Sequence, residues 1–199
     1  MIAIIDYGAG NLFSVQNALK RIGVESIITS DSEVLISADK LILPGVGAFP
    51  DAMRMLRGSG LIEVIQKESK EKPLLGICLG AQILFDKGYE FEETKGLGLI
   101  DGYVDKIVAP ELKIPHMGWN DVRKINDSPI AIGVSDGSMV YFVHSYKIVT
   151  EERNIIFRSE YGQEIPALVN RGKVFGAQFH PEKSGDIGLK ILQNFAALE

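Results

Sequence analysis

The sequence predicts an α/β fold in one domain over residues 1–199: an open, mostly parallel central sheet with helices on both faces, extended by antiparallel strands in the C-terminal half. Three observations carry this expectation. Short, continuous apolar runs alternate with helical periodicity in the first half, as strands buried on both faces do when crossover helices cover them. From about residue 96 the texture changes to closely spaced β-rich runs separated by turn residues, which reads as antiparallel pairing in the same sheet or beside it. No linker, repeat or low-complexity segment divides the chain.

Taken in order, "IAIID" (2–6) is a strand, "YGAGN" a turn, and "LFSVQNALKRIG" (12–23) an amphipathic helix ended by Gly23. The unit recurs. "VESIITS" (24–30) and "KLILPGVG" (40–47) are strands, and a helix covers roughly 48–71. "PLLGIC" (73–78) is the fourth apolar run in this series, with a helix expected to start at Leu79. "GLGLIDGYVDKIV" (96–108), "MVYFVHSYKIV" (139–149), "NIIFRSEYG" (154–162) and "PALVNRGKVFGAQF" (166–179) supply the later strands, and a closing helix runs from about Ser184 to Leu198.

Composition narrows the function. With 46% apolar residues in 199, the chain buries a full core. A net charge of −5 without blocks of like charge argues against nucleic acid or anionic membrane as partners. The N-terminus has neither a basic start nor a long apolar run, and no stretch approaches the roughly 18 apolar residues of a membrane span, so a cytoplasmic protein is expected. One cysteine and three histidines form neither a disulfide nor a cysteine-based metal site. No metal or cofactor is expected. "DYGAGN" has Gly8 and Gly10 but Phe13 where the dinucleotide fingerprint needs a third glycine, which excludes that reading.

The single cysteine, Cys78, stands in "GICLG" between a strand and the expected helix. A lone buried cysteine is most often an inert small hydrophobe. Here glycines two residues to either side give the close strand and helix approach of a nucleophile elbow, placing the thiol at the C-terminal edge of a parallel strand where such sheets hold ligands. Helix N-terminal amides would lower its pKa, and the N–H of Leu79 would face a developing oxyanion. A thiol nucleophile needs a base, and the base an orienting group. "FHPE" offers His180 and Glu182: in extended chain they project to one side, and Pro181 confines His180 to that geometry. Cys78, His180 and Glu182 therefore read as an acyl-transfer set, whereas "HPE" alone would mean only a strand end.

"PGVGAF" (44–49), "GICLGAQ" (76–82) and "QFHPEKS" (178–184) together resemble the triad-type, class I glutamine amidotransferases. Within these, "DYGAGN", "KGLGLIDG" (95–102), "PHMGWN" (115–120) and "YFVHSY" (141–146) are similar to the glutaminase subunits of imidazole glycerol phosphate synthases, with matching blocks from about residue 2 to 195. The resemblance implies that Cys78 attacks the glutamine amide, His180 moves protons and Glu182 orients the imidazole. It also implies an oxyanion hole from the backbone of Val46, Gly47 and Leu79, and glutamine binding by Gly47, Gln82, His144, Ser145 and Tyr146, with packing rather than catalysis as the role of His144. The implied partner is a (β/α)8-barrel cyclase that accepts ammonia, in histidine biosynthesis, and Asn11, Trp119 and Lys183 are expected at that interface. Ala81 departs from the methionine frequent in the family. A paralogue serving a surface-sugar amidotransferase would share the same chemistry, and a silent scaffold subunit would leave Cys78 as packing alone; "PHMGWN" and "KGLGLIDG" argue against a glutaminase for pyridoxal phosphate synthesis.

Overall fold

The computed structural model describes residues 1–199. Strands β1 (Ile2–Ile5), β2 (Ser26–Thr29), β3 (Lys40–Gly45) and β4 (Leu74–Cys78) run parallel, joined by helices α1 (Leu12–Arg21), α2 (Ser32–Ser37), α3 (Phe49–Gly58) and α4 (Ile62–Glu68). A one-turn helix α5 (Leu79–Gln82) leads to β5 (Phe85–Gly88), β6 (Thr94–Lys95), β7 (Ile100–Lys106), β8 (His116–Lys124), β9 (Ser138–His144), β10 (Tyr146–Val149), β11 (Ile155–Glu160), β12 (Glu164–Arg171) and β13 (Val174–Ala177), and α6 (Gly185–Ala196) closes the chain. The main sheet has nine strands in the order β2-β1-β3-β4-β13-β12-β11-β8-β9; β10-β7-β5-β6 form a second sheet.

β13 is parallel to β4 and antiparallel to β12, so the parallel and antiparallel halves meet at that strand. The apolar runs of β1, β3 and β4 are continuous because both faces of these strands are buried, whereas β2 is a half-exposed edge strand. In β1, Ile2 and Ile4 enter a core shared with α1 and α6, including Leu19, Leu192 and Phe195, while Ala3 and Ile5 enter the opposite core with Leu35, Phe49 and Ile65 of α2, α3 and α4.

Several local expectations change: β5, β6 and β8 lie outside the expected strand runs, and "MVYFVHSYKIV" divides at Ser145 into β9 and β10 of different sheets. The helix expected over 48–71 is two helices, parted at Gly60, whose φ of +73° ends the first. The short α2 is an addition to the expected elements; Asp31 caps it, accepting from Glu33 N–H at 2.9 Å. The helix at Leu79 stops after four residues, because the Leu97, Leu99 and Ile100 amides take the Ile83 and Leu84 carbonyls. Finally, Pro181–Lys183 form a 3₁₀ turn rather than extended chain. No helix is long and apolar enough to cross a membrane.

Candidate active site

β4 ends at Cys78, whose backbone is turned to φ 55° and ψ −111°, a region a residue with a Cβ occupies only under constraint, at roughly 1–3 kcal/mol. The constraint is visible in the flanking glycines. A Cβ on Gly80 would lie 1.8 Å from the Leu43 carbonyl oxygen of β3, and one on Gly76 would lie 2.5 Å from the Gly80 oxygen. Strand and helical turn thus approach at backbone contact, and the chain reverses sharply with the cysteine at the bend.

The thiol is largely buried at the base of a cavity of about 400 Å³, lined by Val46, Gly47, Leu79, Gln82 and His180 together with the Val143–Tyr146 segment. Its Sγ points to the Val143 carbonyl at 3.8 Å. Across the sheet, β13 leads into His180, whose Nδ1 lies 2.8 Å from Glu182 Oε1; both side chains are almost completely enclosed. The Glu182 carboxylate accepts, so Nδ1 carries hydrogen. Nε2 is buried without a hydrogen-bond partner. The 3₁₀ turn, not an extended i, i+2 pair, brings the carboxylate back to the ring, while His180 itself stays extended before Pro181.

Burial alone would lower the His180 pKa. The neighbouring Cys78 and Glu182 outweigh it and push it up to about 9. Since α5 is a single turn, the charge beside the sulfur is this imidazolium rather than a helix dipole. The pair has a stability signature. A histidine raised above 6.5 on folding contributes stability that is fully present below pH 6.5 and is lost as pH rises through about 9. Melting temperature is expected to fall across that window, and to fall less in Glu182→Gln; equal slopes in a pH series of thermal melts would contradict the assignment.

Val46 is half exposed, and Gly47 has φ +102° with open space where a Cβ would be, so conformation and not crowding selects glycine there. Gln82 is buried. Its Nε2 donates to the Tyr146 carbonyl at 2.9 Å and to Gln178 Oε1 at 3.0 Å. Both hydrogens are thereby used, which leaves Oε1 as the atom with which Gln82 receives an N–H from a ligand. His144, Ser145 and Tyr146 line the cavity wall; both His144 ring nitrogens are engaged within the protein.

Lys183 is at the exposed rim of the cavity. Trp119 is 54% exposed, its ring edge-on to Tyr141 at 6.1 Å, so it is a surface aromatic rather than a core one. Tyr141 ties this surface to the site: its carbonyl accepts His180 N–H and its N–H donates to Ser184 Oγ, both at 2.9 Å. Asn11 precedes α1 and borders a crevice beside His180 and Glu182.

One cavity residue lies outside the set that the sequence motifs single out. Glu90, in the acidic stretch "GYEFEETK", reaches the cavity lining and accepts Phe49 N–H at 2.7 Å. Burial raises its carboxyl above the usual value, against the lowering effect of that bond. No local spacing marks it, because it acts from a connection between strands.

The family model for class-I glutamine amidotransferases matches residues 3–198. An imidazole glycerol phosphate synthase subunit HisH of Bacillus cereus is 52% identical over 98% of this chain and 93% of its own length; one of Bacillus cytotoxicus is 53% identical over the same shares. Among solved structures, a glutamine amidotransferase superposes with TM-score 0.77 at 24% identity over the whole of both chains, and PurLQS from Thermotoga maritima with 0.75 at 23% identity over 98% of this chain and 96% of that one. With the family model matched over almost its full length, this chain belongs to the class-I glutamine amidotransferases.

Proposed function

We infer that the chain is the glutaminase subunit of an imidazole glycerol phosphate synthase, acting in histidine biosynthesis and passing ammonia to a (β/α)8-barrel cyclase subunit in the cytoplasm. The observation that carries the chemistry is the strained Cys78 elbow opening onto one cavity with the buried His180–Glu182 pair. The 52% identity to HisH subunits supports this acceptor over a surface-sugar amidotransferase.

The Cys78 thiolate adds to the side-chain amide carbon of glutamine, and the amide oxygen takes up the negative charge. Leu79 N–H and the backbone at Val46 and Gly47 are the donors proposed for that oxygen. As the tetrahedral adduct collapses, the C–N bond breaks and His180 Nε2 delivers its proton to the departing nitrogen, releasing ammonia and leaving a thioester. Water, giving a proton to the same nitrogen, then hydrolyses the thioester to glutamate and restores the thiolate. Glu182 keeps Nδ1 protonated throughout, so that Nε2 is always the exchanging atom.

Substrate recognition follows from charge. Gln82 Oε1 offers an acceptor, and Glu90 offers a carboxylate for the α-ammonium of glutamine. Glu90→Gln keeps an oxygen for Phe49 N–H and removes the charge, so KM for glutamine is expected to rise by roughly 10- to 100-fold with kcat little altered. An unchanged KM would remove Glu90 from substrate binding.

Ammonia freed into neutral water becomes ammonium and ceases to be a nucleophile, so a glutaminase of this kind serves a partner. Trp119, Lys183 and Asn11 are the residues proposed to face it, around the exposed surface beside the triad. Glutamate release from this chain is expected to be feeble alone and strongly accelerated by the cyclase loaded with its nucleotide substrate. Equal rates with and without the cyclase would refute this.

A further inference from the structure

Two buried imidazoles lie behind the cavity wall, and the triad does not use them. His116 and His144 are direct cross-strand partners in the β8–β9 pair, with His116 Nδ1 2.9 Å from His144 Nε2. His144 Nδ1 is 2.7 Å from the Tyr146 carbonyl oxygen, and Asn120 Nδ2 is 3.2 Å from His116 Nε2 and 2.8 Å from the Glu160 carbonyl.

These contacts fix every hydrogen. A carbonyl oxygen only accepts, so His144 Nδ1 must donate to Tyr146. Burial holds both rings neutral, lowering His116 to about 4 and His144 to about 3, so each carries one hydrogen. His144 Nε2 is then a bare acceptor, His116 Nδ1 must donate to it, and His116 Nε2 must accept from Asn120. Asn120 completes its own bonding through Oδ1, which accepts Asp121 N–H at 2.9 Å. The chain of bonds therefore has a single polarity, from Asn120 to the Tyr146 carbonyl, with both rings in the Nδ1–H tautomer that is the minor one in water.

Its endpoint is where the fold needs a constraint. Ser145 alone separates β9 of the main sheet from β10 of the second sheet. The strand ladders on either side belong to different sheets; at the crossing the Ser145 carbonyl accepts Ile107 N–H at 3.0 Å, and side chains hold the Tyr146 carbonyl. His144 and Gln82 both donate to the Tyr146 carbonyl at that crossing, and Ser145 and Tyr146 line the glutamine cavity. At the other end, His116 is stacked against Phe142 and Tyr161 with ring centroids 4.5 and 4.0 Å away, which holds the plane of its ring.

We propose that Asn120, His116 and His144 form a one-directional hydrogen-bond chain that sets the position of the Ser145–Tyr146 wall, which makes His116 and His144 positioning residues for glutamine binding. Met117 and Trp119 project outward from the opposite face of the same strand. The proposal rests on glutamine as substrate, but its first test does not.

Imidazole ¹⁵N NMR of the full chain labelled at histidine is expected to show His116 and His144 both protonated at Nδ1 and bare at Nε2 at neutral pH. Protonation of either at Nε2 overturns the proposal whatever the enzyme's substrate. The second test uses the assembled synthase. His116→Phe keeps the aromatic stack and deletes both hydrogen bonds; KM for glutamine is expected to rise about tenfold with kcat changing far less. His116→Asn retains an N–H at the Nδ1 position and is expected to recover much of the loss. The rate at which iodoacetamide, which is too small to need the wall, alkylates Cys78 is expected to stay at the wild-type value in both. A folded His116→Phe variant with unchanged KM, or a loss confined to kcat, would also overturn the assignment, whereas failure of the glutaminase reading would instead appear as Cys78-independent hydrolysis.

Discussion

Cys78→Ala is expected to lower glutamine hydrolysis in the assembled synthase by about 10⁴-fold or more, since removing the attacking atom of a group that acts as a unit removes nearly all of its effect. The fold should persist, because alanine keeps the Cβ and occupies less space in the same bend. A companion variant separates chemistry from strain. Cys78→Gly loses the thiol as well, but glycine populates φ +55° freely, and its unfolding free energy is expected to exceed that of Cys78→Ala by roughly 1 kcal/mol in urea titrations. Substantial hydrolysis by Cys78→Ala would leave the thiol as packing alone and end the acyl-transfer reading. A Cys78→Gly variant less stable than Cys78→Ala would show that the bend carries no strain.

Much of this arrangement is legible in the amino-acid order alone, and the reason is the same in each case. β1, β3 and β4 are buried on both faces, so their apolar character is continuous and needs no partner to be seen. The Cys78 and His180 segments lie at ends of adjacent parallel strands, β4 and β13, so strand order alone brings two distant motifs together. What escapes the sequence is set by tertiary contact. "LGAQILF" has a helix former's composition, yet the chain leaves the helix at Ile83 because backbone amides from residues 97–100 take the carbonyls there. "HPE" pairs its imidazole and carboxylate through a 3₁₀ turn instead of the extended chain its spacing suggests; the two conformations give the same pairing, so the contact is legible in the sequence and the local geometry is not. Glu90 and the His116–His144 contact depend on partners 28 or more positions away in the chain and leave no periodic trace.

Gly80→Ala is expected to be the most damaging single-methyl change in the chain. The added carbon would sit 1.8 Å from the Leu43 carbonyl oxygen, 2.8 Å from the Leu43 carbonyl carbon and 3.1 Å from that of Pro44. All three are backbone atoms of a central strand, so no rotamer change relieves the clash. Relief requires β3 and α5 to separate, which would drag Gly45, the register partner of Cys78, away from the elbow and open the core on that face. Overpacking ordinarily costs about 1–3 kcal/mol, and with backbone on both sides the expected loss lies at or above the top of that range, a large fraction of a domain's total stability. Gly58→Ala is the matched control. Gly58 ends α3 with nothing within 4 Å of its would-be Cβ, and alanine there is expected to be neutral or to stabilise by up to about 1 kcal/mol. Paired urea titrations decide the matter, and the activity of whatever Gly80→Ala protein folds adds a second reading: the surviving native fraction should be slow in glutamine hydrolysis, because the same contact that excludes the methyl group holds the nucleophile at its bend. A Gly80→Ala chain as stable and active as the wild type would mean that strand and turn do not meet at backbone distance, and the physical basis assigned to the elbow would be wrong.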